Sequence, residues 1–351
     1  MILDFIKLSQ VKNQEIILIN HSQKINACKI DKQVLDKMPT AKLIDMVLEY
    51  PILIDIFSYD SLQTGFEIVS TYCDPLVELK ERNDAGTYLL DTYKNEDVSS
   101  AFKNINSVTE NNNFLKMCVT EILLAQPEIN EDFSVSEKLE LDKEINKKNQ
   151  EKGNDERFGL SKNIYYQVEL TTSSNFVGSS FSSKIASIST AAATQITYSV
   201  SLLPVLTPNG TYIYPLRADN DYTSTEKTAL NNQYISAYPN ATYISTSTAK
   251  YNCHSYAWHS TSPDNISWIN DPSPYWSDGS YTYVGTSPTA NGQKVYYDRS
   301  GTEHSGIVTD YSNKKITSKW GQGPVMLHNE KDCPYYVAAW SVLPVIKYYK
   351  R

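Results

Sequence analysis

Tyr251-Asn252-Cys253-His254-Ser255-Tyr256-Ala257-Trp258 and, far downstream, Glu303-His304-Ser305-Gly306-Ile307-Val308 are the stretches from which the fold of this chain is read. The first reads as a short helix opened by Cys253, the second as a β-strand that starts near His304. A thiol is a poor nucleophile near neutral pH and needs a helix N-terminus or an imidazole beside it to become thiolate. The free N–H groups of a helix start favour that thiolate and can form part of an oxyanion hole. On a helix from His254 to Ser260, Cys253, Tyr256, Ala257 and Ser260 share one stripe, so Tyr256 and Ala257 should pack inward while Trp258 faces elsewhere. A hairpin from Lys294-Val295-Tyr296-Tyr297 would carry His304 back beside the helix start, and Ser305 and Gly306 are small enough to leave room there.

In that arrangement Cys253 attacks a carbonyl and His304 serves as base and then as acid. A third group to orient the imidazole should come from the next strand, Lys315-Ile316-Thr317-Ser318-Lys319-Trp320-Gly321. Ser318 is the best-placed hydroxyl and His328 its rival, while Lys319 could hold a carboxylate or pair with Glu303. Asn252, His254, Trp258, Lys319 and Trp320 are the expected substrate contacts. The competing reading makes Cys253 a buried structural cysteine. A zinc site from Cys253, His304 and His328 would lack the acidic base of a zinc hydrolase, so no metal or other cofactor is expected.

The order of Cys-helix, His-strand and a polar position on the next strand resembles the papain-like NlpC/P60 and CHAP-type cysteine hydrolases, which act on amide bonds of bacterial cell-wall peptides. The likeness covers about residues 240 to 330. A closer resemblance is to bacterial proteins of unknown function that combine Asn-Cys-x-x-x-Ala-Trp, a His-bearing strand, Ser-Lys-x-Gly and a further His. Here these are Asn252-Cys253 with Ala257-Trp258, His304, Ser318-Lys319-Trp320-Gly321 and His328. The usual third triad member (His, Asn or Glu) has no clean match, because Lys319 or Trp320 stands about where it belongs. Leu48-Glu49-Tyr50-Pro51 looks like part of the helical domain that accompanies such modules in low-GC Gram-positive bacteria.

At 351 residues the chain is long for one core, and two domains are expected. Its net charge of −8 and lack of a basic cluster argue against nucleic acid or an anionic membrane as the main partner. Twenty-six Tyr against nine Phe, in a Ser/Thr/Asn-rich C-terminal half, suggest an aromatic-decorated β surface of the kind that faces glycans, or simply good strands. Among the five cysteines there is no Cys-x-x-Cys pair; Cys73 and Cys118 read as buried small hydrophobes, and a Cys253–Cys333 disulfide stays open. No run is long enough to span a bilayer. Met1-Ile2-Leu3-Asp4-Phe5-Ile6-Lys7 lacks the basic-then-apolar order of a secretory signal, so the chain is expected to stay inside the cell or to leave by a non-standard route.

Periodicity organises the rest. Residues 1 to about 30 could be a strand or an irregular arm. Thr40 should cap a helix carrying Leu43, Ile44, Val47 and Leu48, and Asp60 with Gln63 reads as a capping box before Leu62, Phe66 and Val69. Leu76, Leu79, Leu89, Leu90 and Tyr93, then Phe114, Met117, Cys118, Ile122 and Leu123, continue the helical pattern. The expected fold class is α+β: a small helical domain over 1–130, a charged linker over 131–160 whose first half could form a transient helix, a Ser/Thr-rich β or mobile segment over 161–205, and a papain-like domain over 206–351 with the Cys-bearing helix on an antiparallel sheet. The function that follows is a cysteine amidase or peptidase acting on peptide or cell-wall peptide. The alternative is an inactive binding module that grips peptide or glycan through Trp268, Tyr275 and Trp276. The helical domain could recognise a protein partner.

Overall fold

The computed structural model describes residues 20–103, 105–106, 113–173, 198–338 and 340–351; among them helices fill the N-terminal region and strands the C-terminal region. Backbone proximity groups residues 30–173 and 218–230 in a helical unit, and residues 20–29, 199–217 and 231–351 in a sheet unit. The two units therefore interleave along the sequence, where the sequence pattern suggests consecutive domains.

Helix α1 (His21–Ala27) opens with a capping box: Asn20 Oδ1 accepts from the Gln23 N–H and Gln23 Oε1 accepts from the Asn20 N–H. It stands at the end of the stretch expected as a strand or arm, whose residues 1–19 lie outside the described residues, and it belongs to the sheet unit. There the Lys24 ammonium donates to the Ala237 carbonyl, the His21 N–H donates to Asp332 Oδ1 (2.7 Å), and the His21 ring stacks on Tyr238.

The helical unit contains α2 (Thr40–Leu48), α3 (Leu62–Val69), α4 (Asp74–Lys80), α5 (Ala85–Asn95), α6 (Asn113–Leu124), α7 (Val135–Gly153) and α8 (Ile164–Ser173). The 3.6-residue pattern holds: Leu43, Ile44, Val47, Phe66, Val69, Leu76, Leu79, Leu89, Tyr93, Ile122 and Leu123 are all buried. The starts move by a residue. Pro39, not Thr40, is the cap of α2, and the Thr40 hydroxyl instead donates to Asp84 Oδ1 (2.7 Å). Ser61, not Asp60, caps α3 by accepting from the Thr64 N–H (3.0 Å). Gly65 lets α3 lie on the turn Leu53–Ser58, since a Cβ there would stand 1.9 Å from the Ile56 carbonyl oxygen.

The stretch expected as a charged linker is α7, a helix of 19 residues capped by a Ser134–Glu137 box. Its inner face is partly cationic, which is why its mixed charge reads as a solvated linker. Leu141 and Ile145 are buried beside Lys148 and Lys152. Lys152 meets Glu121 of α6, whose carboxylate also accepts from the Tyr93 hydroxyl (2.7 Å). Lys148 donates to the Glu96 carbonyl (2.5 Å). The segment expected as β or mobile contains α8 and, after residues 174–197, which lie outside the described residues, a short strand at Tyr198–Val200. Helix α9 (Ser224–Ala237) starts with Thr223 and Glu226 capping each other. Buried Glu226 also accepts from the N–H groups of Gly159 (2.8 Å) and Ser161 (3.0 Å).

Seven strands form the main sheet: β1 (Thr242–Ser245), β2 (Thr282–Gly285), β3 (Lys294–Asp298), β4 (His304–Asp310), β5 (Lys315–Lys319), β6 (Val325–Asn329) and β7 (Val345–Lys350). Their spatial order is β1-β6-β5-β4-β3-β7-β2, and every neighbouring pair is antiparallel. The two-residue repeat separates two faces. Ser305, Ile307, Tyr296, Tyr349 and Val325 point to one, and His304, Val308, Tyr297, Ile316, Ser318 and His328 to the other. On the first face lie Tyr256, Ala257 and Trp258 of the Cys253 helix, with Ile269 and Tyr275. No helix among the described residues is long and apolar enough to cross a membrane.

Within the helical unit, burial pushes the Glu96 carboxyl up to about 7; the Thr120 hydroxyl (2.8 Å) pulls it down, neighbouring Glu121 adds to the rise, and Lys148 and Lys152 oppose it. The folded unit thus holds a proton that the unfolded chain, with its ordinary value of 4.5, releases. Its stability should fall as pH rises through that window. Far-UV circular dichroism melts between about pH 4.5 and 7 should show this fall, and Glu96→Gln should flatten it. Lys152→Met, which strands Glu121 in the core, should cost about 3–5 kcal/mol in the same measurement.

Candidate functional site

Asn252 sets the start of the Cys253 helix. Its Oδ1 accepts from the Ser255 N–H (3.1 Å), an N-cap bond, and its Nδ2 donates to the Ile269 carbonyl (2.8 Å). Cys253 is therefore in the first turn, as expected. The helix then widens: residues 255–259 form a π-turn in which the Ser260 N–H reaches the Ser255 carbonyl (2.9 Å). That extra residue per turn brings Trp258 round onto the sheet, against the expectation from a regular helix. Its indole N–H donates to Ser305 Oγ at 2.8 Å.

His254 Nδ1 lies 2.8 Å from the same Ser305 oxygen. Cys253, one residue before His254, is buried at the start of the same helix. Helix and β4 thus meet as the sequence suggests, but the side chain at the junction is Ser305. Because neighbours on a strand point to opposite faces, His304 is turned away. It is completely buried, stacked face to face on Tyr335 with centroids 3.5 Å apart and flanked by Tyr297. Neither of its ring nitrogens has a hydrogen-bond partner among the described residues. The thiol–imidazole hydrogen bond expected between Cys253 and His304 is not formed.

The two expected orienting groups satisfy each other instead. His328 Nδ1 faces the Asn329 carbonyl (2.8 Å), so it carries the proton, and Nε2 is left to accept from the Ser318 hydroxyl (2.8 Å). Ser318 in turn accepts from the Trp320 indole N–H (3.1 Å). Nothing in this chain of bonds reaches His304.

The expected substrate contacts are interior groups. Asn252, Lys319 and Trp320 are completely buried, and His254 and Trp258 nearly so. The Lys319 ammonium donates to the carbonyls of Thr248 (2.9 Å) and Gly321 (2.6 Å) and lies over the Tyr251 ring. Trp320 packs edge-on against Tyr234 and Tyr238. All five cysteines are free thiols, so Cys253 and Cys333 are not joined. No cluster of three His, Cys, Asp or Glu side chains that could hold a metal occurs among the described residues.

Burial sets the electrostatics. It lowers His254 and His328 to about 4 and His304 well below the usual histidine range, the last with help from the neighbouring His328 and His254. All three are neutral imidazoles near pH 7, not the imidazolium of a thiolate–imidazolium pair.

One feature that the sequence motifs do not single out is the aromatic assembly on the Ser305 face. Trp276 stacks on Tyr349 (5.1 Å) and touches Trp258 (5.2 Å) and Tyr296 (5.2 Å), while Tyr283 reaches Tyr349 (5.7 Å) with 51 % of its surface exposed. The excess of Tyr over Phe is its only trace in the composition. Of the three loop aromatics expected to grip a ligand, Trp268 and Tyr275 are core residues, and Trp276 alone is partly exposed. No protein-family model, curated protein or solved structure matches the chain.

His304→Phe should keep the stack on Tyr335 and remove two unpaired buried nitrogens, so it should leave stability unchanged or raise it. Ser305→Ala should cost about 1–3 kcal/mol, because the Trp258 N–H loses its acceptor. All five tryptophans lie between residues 258 and 340, so tryptophan fluorescence melts report on this unit. The same melts should show stability complete above about pH 6.5 and lost toward pH 4, since the unfolded chain takes up protons that folded His254 and His328 refuse.

Proposed function

We propose that the sheet unit is a papain-like recognition module that binds peptide or glycan on its aromatic surface and leaves the bound chain intact. The observation that carries this reading is the run of rings from buried Trp258 through Trp276 and Tyr349 to exposed Tyr283. Large rigid rings give contact area at little entropic cost, and a ring anchored in the core is already held in place before a ligand arrives. The burial of His304 against Tyr335, with no hydrogen bond to Cys253 or any other described residue, supports the same reading. Isothermal titration of the full chain with cell-wall glycopeptide fragments should give binding without new products by mass spectrometry. Cys253→Ala should bind equally well, and Tyr283→Ala with Trp276→Ala should weaken binding about tenfold, the effect of about 1.4 kcal/mol. Release of fragments by the wild type that Cys253→Ala abolishes would sink the proposal.

A second reading, a cysteine amidase or peptidase, is favoured by one specific observation. Cys253 begins a helix, and His304 is a buried imidazole that uses neither nitrogen in the fold. In this reading a movement of β4 frees His304 from Tyr335 to act as base for the thiol. Site-resolved iodoacetamide labelling separates the two. An activated Cys253 reacts well below pH 8, whereas a structural one lags behind the partly exposed Cys28 at every pH.

A further inference from the structure

We propose that the aromatic surface is a site for an acidic saccharide, with Lys294 receiving the carboxylate of a uronic-acid-type sugar. The inference rests on the recognition reading above and names the ligand class of the same surface.

Lys294, Tyr349 and Tyr283 occupy one line across β3, β7 and β2, because Lys294 pairs with Tyr349 and Tyr349 with Tyr283. Directly opposed residues stand about 5 Å apart, so the line runs for about 10 Å, enough for sugar rings laid end to end. Tyr283 presents its exposed ring at one end, Trp276 stacks on buried Tyr349 in the middle, and Lys294 supplies the cation at the other.

The cation is the unusual part. Lys294 is only partly exposed, lies over the Tyr281 ring (6.0 Å), and has no hydrogen-bond or ion-pair partner among the described residues. The acid on the same strand, Asp298, lies four residues away and is taken by Lys347. A second cation, Arg351, is near enough to be felt at the Tyr281 phenol. In a chain of net charge −8, an ammonium on this face with no acid paired to it among the described residues offers a place for an anionic group. Burial pulls the Lys294 ammonium down to about 8, so an incoming carboxylate would meet a cation that the fold does not neutralise.

Two observations favour a saccharide over an extended peptide. The edge strand β2 spans four residues, and its pairing with β7 is broken by a register shift at Tyr348/Tyr349. Gly285 at its end has φ +129°, so the edge gives a peptide little regular backbone to pair with. The exposed Tyr283 ring, by contrast, offers a flat apolar surface to the C–H face of a pyranose.

The test is titration of the full chain at low salt with trigalacturonate, its methyl ester and an acidic hexapeptide. The acid should bind the wild type about tenfold more tightly than the ester, the gain of one charge-assisted bond. Lys294→Gln should bind acid and ester alike, Lys294→Arg should keep the preference, and Tyr283→Ala should lose affinity for both, each variant first checked by its tryptophan melt. Equal binding of acid and ester by the wild type overturns the inference and leaves the recognition reading standing, as does a preference that survives in Lys294→Gln. Tighter binding of the hexapeptide than of trigalacturonate also overturns it in favour of a peptide. Failure of all three probes to bind overturns both.

Discussion

Ser305 accepts the indole N–H of Trp258 and lies against His254, and this contact fixes which way the side chains of β4 point from His304 to Val308, beyond which the pairing shifts. A strand cannot turn two neighbours to one face without a bulge. Once Ser305 meets the helix, His304 must enter the opposite layer, beside Tyr335 and Tyr297. The π-turn of the helix depends on the same contact, since only the widened turn brings Trp258 over Ser305. Motif spacing brought the right elements together. One residue of phase decides whether they make a catalytic pair or a packed interface.

The two units handle buried cations differently. In the helical unit, Lys152 is matched by a carboxylate, and Tyr93 satisfies that carboxylate further. In the sheet unit, the Lys319 ammonium donates to two backbone carbonyls and lies over a tyrosine ring. Either arrangement is stable only when every donor is satisfied. His304 stands out because its polar atoms are left unpaired in a core where Ser318, Trp320 and His328 are paired.

How much of this was legible in the sequence follows from what each signal depends on. Amphipathic helices were readable from Leu43 to Leu123 because burial follows a local period. Caps slipped by one residue because Pro39 and Ser61 compete with equally plausible neighbours. Helix α7 was hidden, since a buried lysine looks like a solvated one until its partner in α6 is known. The strands β3, β4 and β5 were visible. Strands β1 and β7 were not singled out, because they pair with segments remote in the chain; β6 was missed as well, although one of its partners, β5, is adjacent. Cys253 at a helix start could be read; the direction of His304 could not, because it depends on which of two adjacent residues the helix selects.

The position of β7 has a consequence for how the sheet comes into being. It follows every other strand in the chain, yet it lies inside the sheet, between β3 and β2. On a ribosome, β2 would emerge early and find no neighbour. It would stay an open ribbon bearing Tyr283 until Val345–Lys350 arrived to join it to β3. The aromatic surface is thus the last part of the sheet to be completed, and a chaperone that shields exposed tyrosine-rich strands would have its longest encounter there.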